Sequence, residues 1–418
     1  MDKPNLIIVG AGAAGLLAAR ELASIYSITI LEANARIGGR IYSVPSFFSS
    51  KPIEGGAEFV HGHCKLTLQL LKEAGIKYEV SDGKMFRHKK DHWEEQSEMI
   101  EGWKILLRKM NKLDGDYSLD DFLHEYFSEP EYSNLRQQAT HYAEGFDLAD
   151  TKKVSMQYLY KEWSNEEDQF FRIPSGYGSI IKYLQKECEA KGVKVFTNKK
   201  VQHIEWKKHD LMIFTNDGQH YFANKCIVTV PIRCLADEKQ DGYITFKPAL
   251  DQQQKAAKGI GFGNVIKVTM RFRERFWKDK IGFIISEAVF PVWWTQDPDP
   301  ALLLTGWIGG PPADELSTNS DDELLKKALA SLASIFEMRI GELEELLVEK
   351  NVFNWKNIPF AGGGYSYCMV GSAAARETLC TPVDDTIFFA GEAIYDGKSP
   401  GTVEAALASG KDVAKKLS

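Results

Sequence analysis

NLIIVGAGAAGLLAARELASIYSITILEANARIGGR, residues 5–40, decides the fold of this chain. The apolar run Leu6-Ile7-Ile8-Val9 meets Gly10-Ala11-Gly12-Ala13-Ala14-Gly15. A helix-like stretch follows, and a second apolar run, Ile28-Thr29-Ile30-Leu31, ends at Glu32. Strand, glycine turn, helix, strand and acid, in that order, form a dinucleotide-binding βαβ unit. Gly10 permits the tight turn, Gly12 lets the backbone approach a pyrophosphate, and Gly15 lets the helix lie close on the strands. The helix N-terminus at Ala14 attracts phosphate charge. Glu32, with Ala33 beside it, can accept the hydroxyls of an adenosine ribose. The continuation Ala35-Arg36-Ile37-Gly38-Gly39-Arg40 adds a second Gly-Gly and two arginines that a nicotinamide fold does not need. That points to FAD.

At 418 residues the chain is too long for one ordinary core and suits two domains. A hydrophobic fraction of 44% and nine tryptophans permit large buried interiors. The net charge of −7 does not favour a nucleic-acid-binding surface. Six scattered cysteines without a CxxC pair argue against a metal site or a disulfide framework and fit a reducing compartment. Met-Asp-Lys-Pro runs straight into the first strand, leaving no room for a signal peptide, and no apolar run approaches the roughly 20 residues that span a bilayer. A cytoplasmic protein that binds no membrane is expected; oligomeric state is not legible.

Further along, Ile53-Glu54-Gly55-Gly56-Ala57-Glu58-Phe59-Val60-His61-Gly62 reads as a glycine-punctuated turn into a strand. Residues 65–160 read as mostly helical, a cap structure. A turn at 172–178 leads into a helix through 188. Strands at 193–196, 201–204, 211–214 and 226–231, with Asn216-Asp217-Gly218 as a hairpin turn, read as a return to the cofactor domain. Val265 to Phe272 alternates as a strand, and 320–348 is helical with Leu324, Leu325, Leu329 and Leu332 on one face. A strand from Thr386 ends in Ala390-Gly391-Glu392, and a closing helix opens at Gly401-Thr402-Val403. The fold class is α/β. A Rossmann-like cofactor domain is expected to be assembled from 1–78, 190–244 and 383–418, with substrate-domain segments 79–189 and 245–382 inserted between them.

Read together, these segments resemble the flavin-containing amine oxidases, the monoamine and polyamine oxidases and the flavin-type histone lysine demethylases, with a leaning to the polyamine oxidases. The landmarks are GAGAAG at 10–15, ARIGGR at 35–40, EGGAEFVHG at 54–62, RIPSGYG at 172–178, TVPI at 229–232, GNVIKV at 263–268, GGGYSY at 362–367 and FAGEA at 389–393. The resemblance implies an FAD domain of glutathione-reductase type with a substrate domain of mixed sheet plus helices. It also implies hydride transfer from the α-carbon of a neutral amine to flavin N5, hydrolysis of the imine to a carbonyl product, and reoxidation by O2 to H2O2. It implies cofactor contacts at Gly10, Gly12, Ala14, Gly15, Glu32, Ala33, Arg36, Gly38, Gly39, Arg40, Gly56, Ala57, Glu58, Val201, Gly391, Glu392, Thr402 and Val403. Lys267 is expected near N5, usually through a water, where a cation favours oxygen attack.

Tyr365 is expected as one wall of an amine-orienting cage. Thr402 stands where the second aromatic wall belongs, with Tyr367 as a substitute or as core, and Phe171 as a further lining residue. His61 either holds the substrate amine deprotonated or is a satisfied turn histidine. Gly364 replaces the cysteine that tethers flavin in monoamine oxidases, so FAD is expected to be noncovalent. The acidic run Glu166-Glu167-Asp168 either guides polyamines or is a solvated face. The partners implied are a small-molecule amine and O2. Rival readings are an amino-acid oxidase, with Arg172 as the carboxylate anchor, and a flavin-bearing interaction protein of low turnover. The demethylases carry chromatin-binding modules, for which this length leaves no room.

Overall fold

The first strand, Asn5–Val9, lies at the centre of a five-stranded parallel sheet, because its side chains Leu6 to Val9 are buried on both faces. The structure is a computed structural model and describes residues 3–418 except 63, 90, 91, 97, 99, 165–168, 297 and 398. Asn5–Val9 pairs with Ser27–Leu31 on one side and with Lys225–Val228 on the other. Lys194–Phe196 and Ile387–Phe389 form the edges. The sheet therefore draws strands from three distant parts of the chain.

The helix Ala13–Leu22 covers one face, with eight of its ten residues buried. The closing helix Val403–Leu417 crosses it so closely that a Cβ at Gly410 would stand 2.4 Å from the carbonyl oxygen of Ala14. The helix Gly178–Ala190, which the expected boundary at 189/190 assigns to the substrate domain, packs Ile180, Ile181, Leu184 and Cys188 into this same core. A second sheet, His220–Ala223, Asp210–Thr215, Val201–Lys207 and Thr245–Lys247 in spatial order, covers the opposite face together with Leu250, Ala256 and Ala257.

The second body is a seven-stranded mixed sheet. Its spatial order is Leu347–Asn354, Val265–Phe272, Leu303–Gly309, Val292–Trp294, Ile281–Ser286, Lys84–Lys89 and His92–Gln96. The strand Val265–Phe272, second in that order, is buried along its whole length. Ile266, Val268, Met270 and Phe272 face the helix Asp321–Phe336 and its leucines, while the alternate residues Val265 and Lys267 face the other way. The antiparallel strands Lys84–Lys89 and His92–Gln96 correct part of the mostly helical reading of 65–160. Their charged, half-exposed residues hide the period-2 pattern, and only pairing with Ile281–Ser286 makes them part of the sheet. The rest of that stretch does form helices, Trp103–Met110, Leu119–Tyr126, Ser133–Gly145 and Met156–Trp163, around a core of their own.

Candidate active site

A cavity of about 1110 Å³ runs between the two bodies. Small-molecule clefts span roughly 300–1,000 Å³, so this one has room for a dinucleotide and a second ligand. At one end it is lined by Gly10, Gly12, Ala14, Glu32, Ala33, Arg36, Gly38, Gly39, Arg40 and Val201. At Gly12 a Cβ would meet nothing within 4 Å, so the backbone there is bared to the cavity, as a bound pyrophosphate requires. Gly15 does not line the cavity. A Cβ there would stand 2.2 Å from the carbonyl oxygen of Gly10, so it closes the helix onto the turn. Glu32 accepts the Ala11 N–H at 2.8 Å and the Asn34 N–H at 2.9 Å, and the lone pairs left over face the groove. The donor set fits the adenosine end of FAD.

The C-terminal motif joins this groove through Arg40, whose Nη1 pairs with Glu392 Oε1 at 2.7 Å and donates to the Gly364 carbonyl at 2.9 Å. Glu392 also accepts from the Ser366 hydroxyl at 2.6 Å. Its carboxylate is thus a strut between motifs, while Gly391, Thr402 and Val403 face the cavity beside it. Thr402 caps the closing helix, its Oγ1 accepting from the Ala405 N–H and donating to the Ser399 carbonyl at 2.6 Å.

Beyond the groove the lining turns aromatic: Phe59, His61, Phe146, Phe170, Phe283, Trp294, Trp307 and Tyr365. His61 is held in the strand Phe59–His61, paired with Phe170, and its ring lies 5.1 Å from that of Phe170 and 6.0 Å from that of Phe146. It faces the cavity rather than bulk solvent, and burial drives its pKa down to about 4. The imidazole is neutral at physiological pH. Tyr365 donates to the Phe146 carbonyl, and Gly401, with no side chain, lies against its ring. The facing wall is therefore backbone and Thr402.

Lys267, 1% exposed, pairs with Glu58 Oε2 at 2.7 Å and donates to the Gly56 carbonyl at 3.2 Å. Glu58 Oε1 accepts from Trp294 Nε1 at 2.9 Å and Gln296 Nε2 at 3.2 Å, with Arg172 Nε at 3.4 Å. Burial disfavours the Glu58 carboxylate, but Lys267, Arg172 and these hydrogen bonds outweigh it and hold its pKa below the ordinary value.

Several expectations need correction. Glu58, expected at the cofactor with Gly56 and Ala57, lines the cavity but commits its oxygens to Lys267, Arg172, Trp294 and Gln296. Phe171 points away from the cavity and packs on Tyr78, because alternate residues of its strand face opposite ways; Phe170 takes its place. Tyr367 is core, packed over Gly261 and the helical cluster. Arg172 is tied to Glu58 and to the Thr295 carbonyl at 2.7 Å, so it offers no anchor for a substrate carboxylate. Cys368 lies in a strand outside the cavity. Glu166-Glu167-Asp168 falls outside the described residues. Sequence reasoning missed Trp294, Trp307, Phe59, Phe146 and Phe283. The adjacent Trp293 and Trp294 carried one signal: on a strand, only one of the two can enter the core behind it.

No group of three or more metal-ligating side chains occurs among the described residues, and no described helix is long and apolar enough to cross a membrane. The profile of a family described as flavin containing amine oxidoreductase matches residues 13–418. Among curated relatives, lysine-specific histone demethylase 2 of Homo sapiens is 26% identical over 99% of this chain and 53% of its own length. Polyamine oxidase 2 of Arabidopsis thaliana is 26% identical over 97% of this chain and 86% of its own. The chain thus spans about half the length of that demethylase. Among solved structures, a putrescine oxidase bound to putrescine superimposes with a TM-score of 0.83 at 20% identity, each chain covered to 99%. Cyclohexylamine oxidase from Brevibacterium oxydans gives 0.80 at 19%, likewise with 99% of each chain covered. At these identities the structural likeness establishes the fold.

Proposed function

We propose that this chain, which belongs to the flavin containing amine oxidoreductase family, is an oxidase of extended amines of the polyamine kind. The observation that carries the reading is one aromatic chamber lined by a neutral histidine, a cationic lysine and Tyr365, continuous with the dinucleotide groove. Bound flavin supplies the two-electron acceptor, and O2 returns it to the oxidised state with release of H2O2.

The residues divide the work. The glycine turn, Glu32 and the N-terminus of the closing helix would hold the FAD, and Arg40 locks the two cofactor motifs together. The aromatic walls exclude water and orient the amine. A ring nitrogen of neutral His61 accepts an N–H of the neutral amine and so orients the lone pair of the reacting nitrogen. Tyr365 presents its face to the amine from the opposite motif. The ammonium of Lys267 supplies fixed positive charge where negative charge develops during reoxidation.

Two features favour a noncovalent flavin. Position 364 is glycine, where a Cβ would stand 2.5 Å from Leu148 Cδ1 and any side chain would have to displace Leu148 and Val265, and burial pushes the cavity-lining Cys234 thiol up to about 12, far from a nucleophilic thiolate. An extended substrate is supported by the far end of the cavity, where Glu94, Glu101 and Glu287 offer carboxylates to a second ammonium and surround Arg87. The test is peroxide release and anaerobic flavin bleaching across putrescine, spermidine, spermine, acetylated polyamines, arylalkylamines and amino acids. Polyamines are expected to bleach fastest, and the reading fails if no amine bleaches the flavin.

A further inference from the structure

We propose that Glu58 is a positioning residue for Lys267, and that Glu58, Lys267 and Arg172 act as one buried ionic triad whose net charge of +1 tunes the flavin. The inference rests on the reading that the flavin ring lies against the chamber Lys267 lines. A lysine on a flexible stem at the centre of a fully buried strand has no reason to keep either its charge or its place unless both are held. Glu58 does both. It takes one of the three ammonium donors, the Gly56 carbonyl takes a second, and the third is left for the chamber.

Glu58 is itself immobilised. Trp294 and Gln296 donate to its other oxygen, and Arg172 approaches the same oxygen. Arg172 is fixed in turn by the Thr295 carbonyl and lies 4.7 Å above the Phe59 ring. The parts come from four strands or their ends: Phe59–His61, Phe170–Arg172, Val265–Phe272 and Val292–Trp294. Among the described residues Glu54, held by the Ser43 hydroxyl and the Tyr177 N–H, also senses this cluster. Three charges at such separations behave as a unit, so changing any one alters the field at the chamber.

The reduction potential of the bound flavin reads that field without turnover. At pH 6, Glu58→Gln leaves two cations and is expected to favour reduction at least tenfold, about 30 mV for a two-electron couple. Arg172→Gln leaves a neutral pair and is expected to disfavour reduction by a similar factor. The Glu58→Gln/Arg172→Gln double variant restores the single cation and is expected within about threefold of the parent, by the same conversion. Single-variant shifts in the same direction, or no shift with flavin bound, would overturn the proposal. If Glu58→Gln does not fold, the sign of the Arg172→Gln shift alone decides. Lys267→Met separates the two levels: no change in potential or reoxidation removes the flavin-facing lysine itself, whereas a change there with none in the Glu58 and Arg172 variants removes only the triad.

Discussion

His61 and Glu54 titrate in opposite senses for the same reason: each is enclosed where the charged form is poorly solvated. With its pKa near 4, His61 is already neutral at pH 6, so the rate of flavin reduction should show no limb near 6.5 from this residue. His61→Gln keeps a hydrogen-bonding group but loses the basic nitrogen. It should slow anaerobic reduction by about 10²-fold or more, measured by stopped flow. Glu54 has its pKa raised to about 7, first by burial, with Ser43, Tyr177 and Lys267 opposing. Since the folded value lies above the unfolded one, the stability it contributes is full below the ordinary carboxylate range and is lost as pH rises through 7. Thermal melts from pH 5 to 8 should show that loss, about 2 kcal/mol, and Glu54→Gln should flatten it. A melt profile identical in parent and variant would falsify this account of Glu54.

Turns and strands decide what single glycines do. Gly12 faces the open groove, so Gly12→Leu should abolish flavin retention on gel filtration while the apoprotein melts within about 1 kcal/mol of the parent. Gly364 is buried against Leu148 and Val265, so Gly364→Ala should destabilise by about 1–3 kcal/mol. The N-terminal βαβ unit was legible because all its signals are local: apolar runs, glycines and Glu32 lie within 28 residues. The aromatic chamber was not. Phe170 and Phe171 are equivalent in sequence, and only the pairing of Phe170 with His61 assigns one to the cavity and the other to the core. Tyr365 and Tyr367 share a face of their segment by parity, yet Tyr365 precedes the strand Ser366–Cys368 and lines the chamber, while Tyr367 lies within it and enters the helical cluster. The lysine was legible from its apolar neighbours, but its partner Glu58 lies 209 positions away. No local pattern joins them.

At the scale of the whole molecule, two bodies meet across one cavity, lined at one end by the glycine turn and Glu32 and beyond them by the aromatic chamber. Ligand binding to the folded state alone stabilises it by mass action. Stripping the flavin should therefore lower the melting temperature, and adding FAD back should restore it in a concentration-dependent way, as read by differential scanning fluorimetry. The parallel sheet has a further consequence. Its edge strand Ile387–Phe389 and the helix Val403–Leu417 complete the groove that residues 5–40 begin, so the first and last segments of this chain must meet before the nucleotide has a seat. During synthesis the glycine turn emerges well before the segment that completes its groove, and this long-range closure has to form before the nucleotide can be held.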